Sequence, residues 1–238
     1  QAVDALRALA YVRNGLITAD HPYDEERIYC AGGSGGGNVT LMANKLAPNT
    51  FACVIDMSGM KKLSDDIAFN LPGGSGLNAR WSSDPQSTCY LSTDEQEIRF
   101  VGHPGHLATM KQLNHQTKIV VVHGVKDSTC PFPDAQEMVE NMKSADLDVI
   151  AYFIDECDLN ATAFNSLGHG LGNRTEIVFQ VAGQYLFPDG ADAKRRIGPS
   201  DFERRSPVVY KTTNGHFVIS FDQRYPVSRY WPDMNSAP

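Results

Sequence analysis

Ser34 lies in the run Gly32-Gly33-Ser34-Gly35-Gly36, which fits the pattern GxSxG. A serine in that pattern, between a strand and a helix, sits on a sharp turn that small neighbours must tolerate. The turn holds Oγ clear of the sheet, where a base and a substrate can reach it. The amide that follows, that of Gly35, would face a developing oxyanion at the helix N-terminus. A glycine-rich phosphate loop is the competing reading, but no lysine follows as GKS/T would demand. Two later segments carry the other groups that serine chemistry needs. Asp127 lies in Gly124-Val125-Lys126-Asp127, just after the apolar run KIVVVH at 118–123. His169 stands between glycines in Ser166-Leu167-Gly168-His169-Gly170. Hydroxyl, carboxylate and imidazole together make a nucleophile, an orienting acid and a base.

Other residues compete for these roles. His103 and His106 form HPGH, but without a third ligand type at suitable spacing they read as structural, and no metal is expected. His115 sits in a polar stretch, His123 at a strand end and His216 in the tail. Cys130, near Asp127, reads as a small buried hydrophobe. Asp155 and Asp158 are second-choice acids.

The elements that must position these groups follow from periodicity. Val3, Leu6, Leu9 and Ala10 recur every three to four residues and predict an amphipathic helix near the start. Residues 27–31 predict a strand and 38–46 a helix, so Ser34 falls on a strand-turn-helix junction. The runs 51–56 (FACVID), 118–123 and 148–154 (DVIAYFI) are near-continuously apolar, as strands of a parallel sheet covered on both faces are. Ala135, Met138, Val139 and Met142 predict a helix between the last two. Asn173 with Glu176 three residues on predicts the start of another, running to about Phe187 before Pro188. Alternating strands and helices imply an α/β fold with a mostly parallel sheet. Asp127 and His169 then both follow strands at the carboxyl edge, where open α/β sheets gather ligands.

Two segments stand outside that alternation. Residues 57–116 are rich in Gly, Ser, Asp and Asn and too long for a plain connection, so they read as an insertion carrying specificity, with a cap as one form of it. Residues 189–238 form an appendage in which Asn214-Gly215 separates two β-rich runs and predicts a hairpin. Residues 1–188 are therefore read as the C-terminal part of a catalytic domain.

Composition narrows the partners. The chain of 238 residues is 42% hydrophobic, enough for one sizeable core. Its 28 acidic against 21 basic residues give a formal charge of −7, which offers nucleic acid no landing strip. Five scattered cysteines, an odd number without a CxxC pair, argue against a disulfide framework and a zinc ribbon. No apolar run approaches the roughly 20 residues of a membrane span. No membrane partner is expected, and the compartment is left open with a lean toward the cytoplasm.

Taken together, these residues resemble the α/β-hydrolases. The nearest branch is that of prolyl-oligopeptidase-like peptidases, dienelactone-hydrolase-like enzymes and acetyl or carboxyl esterases. The resemblance covers residue 1 to about 187. It rests on RI-x-x-x-G-x-S-x-GG, matched from Arg27-Ile28 through Gly36; on HG-x-x-D-x-x-x-P, matched by His123-Gly124, Asp127 and Pro131; and on Gly168-His169 before a helix. The order Ser, Asp, His is that family's order, with separations 127 − 34 = 93 and 169 − 127 = 42. The resemblance implies a serine hydrolase with Ser34, Asp127 and His169 as triad, Gly35 in the oxyanion hole, and Gly32, Gly33 and Gly36 shaping the elbow. A small ester is the expected substrate and no cofactor is implied. A peptidase and a catalytically silent binding module are the alternatives. The family's nucleophile follows the fifth strand, whereas one helix precedes this one, so an associated N-terminal fragment of the same precursor is expected to complete the sheet.

Overall fold

The computed structural model describes residues 1–72, 77–203, 206–222 and 225–233. Parts of the insertion and tail named above, 73–76, 204–205, 223–224 and 234–238, lie outside the described residues. Helix α1, Ala2–Thr18, buries Leu6 and Ala10 from the face predicted for it. Strands β1 (Tyr29–Gly33), β2 (Cys53–Met57), β3 (Lys118–Gly124) and β4 (Val149–Ile154) pair in parallel, in the order β1-β2-β3-β4.

Because side chains alternate along a strand, the sheet feeds two cores. On one face Val54, Ile119 and Val121 meet Leu6 of α1 and Leu41 and Leu46 of α2, Gly35–Leu46. The same core takes Met138 and Met142 of α6, Phe132–Ser144. On the other face Ile55, Val120 and Val122 meet Ile177 and Val181 of α7, Arg174–Leu186. The Asn173 side chain caps α7, accepting from the amides of Thr175 and Glu176. Full burial of β2 and near-full burial of β3 accounts for their unbroken apolar sequence.

Within 57–116 the structure has three short helices, α3 (Asp65–Phe69), α4 (Thr93–Arg99) and α5 (Pro104–Gln112). Leu107 and Met110 of α5 join the first core, so this segment is partly built into the domain. The tail holds an antiparallel sheet of β5 (Val208–Thr212), β6 (Gly215–Asp222) and β7 (Tyr225–Pro232), in that order. The Asn-Gly signal marks the β5-β6 turn, and β7 adds a strand beyond the predicted hairpin. Val208, Tyr210 and Ile219 are buried in the first core, so the tail packs on it. Among the described residues no strand pairs with the outer edge of β1, and no helix is long and apolar enough to cross a membrane.

Candidate active site

Ser34 joins β1 to α2 with φ 59° and ψ −125°, a conformation that costs a non-glycine residue roughly 1–3 kcal/mol. Hydrogen bonds on both sides hold it there. Its amide donates to the Met57 carbonyl at 2.9 Å, and its carbonyl accepts from the amides of Gly37 at 2.9 Å and Asn38 at 3.3 Å. The four leading N–H groups of a helix have no intrahelical acceptor, so Gly35, first in α2, has its amide available at this turn.

The neighbouring glycines differ in what they must avoid. A Cβ on Gly32 would stand 2.2 Å from the Gly36 carbonyl oxygen and 2.8 Å from Thr40 Oγ1. One on Gly33 would meet the Arg174 guanidinium at 2.6 Å, whereas Gly35 and Gly36 have nothing within 4 Å. Gly32→Ala is therefore expected to destabilise the fold by about 1–3 kcal/mol. Gly36→Ala, inside a helix, should be neutral or stabilising by up to about 1 kcal/mol. Urea midpoints at constant m measure both; equal shifts would contradict the packing argument.

Asp127 occupies the turn after β3, with its side chain fully buried. Its Oδ1 accepts from the amides of Thr129 at 2.9 Å and Cys130 at 3.0 Å, and its Oδ2 lies 2.9 Å from His169 Nδ1. His123 approaches the same oxygen at 3.2 Å while Nε2 donates to the Cys130 carbonyl at 2.8 Å, so this buried imidazole supports the acid loop. The histidine loop is laid along that loop by one bond, Lys126 N–H to the Leu167 carbonyl at 2.9 Å. Gly124 permits the approach: a Cβ there would stand 2.1 Å from the Leu167 oxygen. The result is His169 Nε2 at 2.8 Å from Ser34 Oγ. With Nδ1–H donating to the carboxylate, Nε2 is left to accept the serine proton.

The structure thus brings Ser34, Asp127 and His169 into one hydrogen-bonded line. Of the competitors, His123 and Cys130 sit against Asp127 without joining that line. Asp155 and Asp158 close a capping box on a short 3₁₀ turn, Glu156–Asp158. His115 is buried against Asn44. Burial pushes the Cys130 thiol up to about 12, with Asp127 adding to the shift, so it supplies no thiolate.

Two features beside the site carried no sequence signal. Arg174 lies over Gly33. Asp56, inside the apolar β2, is fully buried under the start of α2; neither oxygen has a well-formed hydrogen bond, the Gly59 amide being the nearest donor. Burial raises its carboxyl from 3.8 to about 7. A carboxyl raised on folding contributes stability that is fully present below pH 3.8 and lost as pH rises through about 7. The unfolding free energy of the wild type minus that of Asp56→Asn is expected to fall by roughly 4 kcal/mol across that interval. A pH-independent difference would contradict the assigned shift.

A cleft of about 700 Å³ opens next to Ser34, lined among others by Gly35, Asn38, Met42, Trp81, Arg99 and Phe217. The 57–116 segment supplies Trp81 and Arg99, with the guanidinium 5.3 Å from the indole ring centre, and β6 supplies Phe217. Burial lowers the Arg99 pKa, consistent with a cation set in a largely apolar wall.

A family model described as the prolyl oligopeptidase family matches residues 9–187. Among solved structures, the chain is similar to a Pyrococcus horikoshii acylaminoacyl peptidase, at 16% identity and TM-score 0.46 over 61% of this chain and 22% of that one. It is also similar to a thermostable esterase, at 18% and 0.47 over 81% of this chain and 37% of the other. A third is Arabidopsis thaliana SOBER1, at 17% and 0.41 over 78% and 65%. The chain thus spans well under half the length of the first two. No curated protein sequence matches it.

Proposed function

The chain belongs to the prolyl oligopeptidase family, and from that premise we propose that it is a serine hydrolase cleaving a carboxylic ester, with Ser34 as nucleophile, His169 as base and Asp127 as acid. The observation that carries this reading is the unbroken line of contacts from Ser34 Oγ through His169 to Asp127, at 2.8 and 2.9 Å. As Oγ attacks the ester carbonyl, His169 Nε2 takes its proton and the carbonyl π pair moves to oxygen, towards the Gly35 amide. Collapse of the tetrahedral adduct expels the alkoxide, which leaves with the proton held by His169. Water, deprotonated by the same imidazole, then releases the acid and restores the serine.

The cleft's apolar wall suits an acyl or alcohol chain, with Arg99 available to a polar group at its end. An ester is favoured over an amide because its carbonyl is the more electrophilic and its alkoxide departs with less help from the general acid than an amine needs. Peptide cleavage is the second reading, and the family itself favours it.

A p-nitrophenyl ester series from acetate to octanoate, run against a proline p-nitroanilide, tests the choice. Ester kcat/KM is expected to exceed that for the anilide by at least about 100-fold, some 2.7 kcal/mol of barrier. Faster anilide cleavage would establish the peptidase.

The open edge of β1 is proposed to receive a further strand of the same polypeptide, since an unpaired strand edge is a template for pairing. Outward amides of Tyr29–Gly33 should exchange fast in this chain and slowly in a longer precursor. Equal rates would contradict the proposal.

A further inference from the structure

The HPGH run acquires in three dimensions the third donor that its sequence neighbourhood does not offer. Glu97 near the end of α4, His103 at the N-cap of α5 and His106 in its first turn each bring one ligand-type atom to within 4.8 Å of the others. Glu97 Oε1 lies 3.3 Å from His103 Nε2, and the two imidazole centres are 4.1 Å apart. In a tetrahedral site with metal–donor bonds of about 2.0–2.1 Å, neighbouring donors are roughly 3.3–3.4 Å apart.

Two of the three donors are already oriented by the backbone of the tail. His106 Nε2 donates to the Lys211 carbonyl at 2.7 Å, which leaves Nδ1 as an unprotonated lone pair. That Nδ1 is buried without a hydrogen-bond partner, in a residue only 1% exposed. Such an atom costs about 1–3 kcal/mol when nothing satisfies it. An imidazole that donates one N–H to a carbonyl and keeps the other nitrogen as a lone pair without a hydrogen bond has the arrangement typical of a metal-binding histidine. Glu97 is fixed in the same manner. Its Oε2 accepts from the Thr213 amide and hydroxyl, both at 2.8 Å, and Oε1 is left to face His103.

We propose that Glu97, His103 and His106 bind one divalent transition-metal ion, zinc being the best match to two imidazoles and a carboxylate, and that the ion ties the end of α4 to the start of α5, whose Glu97 and His106 are hydrogen-bonded to the C-terminal tail. Water takes the fourth position. On binding, His103 Nε2 gives up its proton and Nδ1 becomes the protonated nitrogen, facing solvent. The His106 amide then loses its 3.3 Å contact to His103 Nδ1 but keeps its 3.0 Å bond to the His103 carbonyl. Closing the set draws the widest pair together by on the order of 1 Å. The His103 side chain, 28% exposed, has room to move. Lys45 is the neighbouring basic group. Its Nζ donates to the Ile98 and Phe100 carbonyls at 2.7 and 3.0 Å.

The test uses the full chain, stripped with EDTA and dialysed, then titrated with ZnCl₂ and separately with CoCl₂. One Zn²⁺ is expected to remain per chain after dialysis, with a higher Tm. The cobalt form should absorb in the visible as a low-symmetry nitrogen–oxygen site. Two variants preserve the local structure: Glu97→Gln keeps an oxygen for Thr213, and His103→Asn keeps a good N-cap. Each is expected to bind Zn²⁺ about 100-fold more weakly and to lose the cobalt band, with the metal-free circular dichroism and ester turnover unchanged. No retained zinc, or zinc held equally by both variants, would overturn the proposal.

Discussion

Ser34→Ala is expected to lower kcat/KM for a p-nitrophenyl ester by on the order of 10⁴–10⁶ while leaving the urea midpoint close to that of the wild type. Both halves follow from the geometry. The substitution removes only Oγ, whose contact in the fold is with His169 Nε2, so no packing is lost. Alanine also inherits the same strained backbone at φ 59°, so the turn is neither relieved nor worsened. The turn's hydrogen bonds, to Met57 and from Gly37 and Asn38, are made by the backbone and survive. What disappears is the covalent route, and the residual rate measures what the Gly35 amide and the cleft do without it. A loss below about tenfold would mean that ester cleavage in this chain does not pass through Ser34.

Asp127→Asn should cost on the order of 10⁴ in kcat, through a proton on the wrong nitrogen. In the native turn the amides of Thr129 and Cys130 both donate to Oδ1. An asparagine must place its oxygen there, because its NH₂ cannot accept from either amide. The NH₂ then faces His169 Nδ1, which becomes an acceptor, and the imidazole proton moves to Nε2. Nε2 can no longer take the serine proton. KM should change little, since Asp127 is buried and the cleft is lined by other residues. A large rise in KM with kcat intact would contradict the orienting role.

The Ser34–His169–Asp127 constellation was legible because its three parts are local patterns, each beside an element with a clear apolar period. GxSxG sits between a five-residue strand and a helix, and the acid and histidine loops follow β3 and β4. Elements outside that rhythm were harder to read. Helices α3, α4 and α5 span five, seven and nine residues, too short to display a helical period, although the Ser92/Glu95 capping box was a usable cue for α4. Strand β7 contains Pro226 and Pro232, which argue against a strand until it is known to lie at a sheet edge. The cleft wall joins Met42, Trp81 and Phe217, and the proposed metal set depends on Lys211 and Thr213 of the tail to orient Glu97 and His106. These relations arise from tertiary packing and leave no spacing to find. Asp56 shows the limit from the other side: within FACVID nothing distinguishes a carboxyl that will be fully buried.

Fluorophosphonate labelling of the intact chain, followed by peptide mapping, tests the central claim most directly, because the reagent phosphonylates a serine only where a base has activated it. A single adduct on the peptide containing Ser34, lost when His169 is replaced by alanine, is the predicted result. An unlabelled chain with native circular dichroism, or an adduct on another residue, would contradict it.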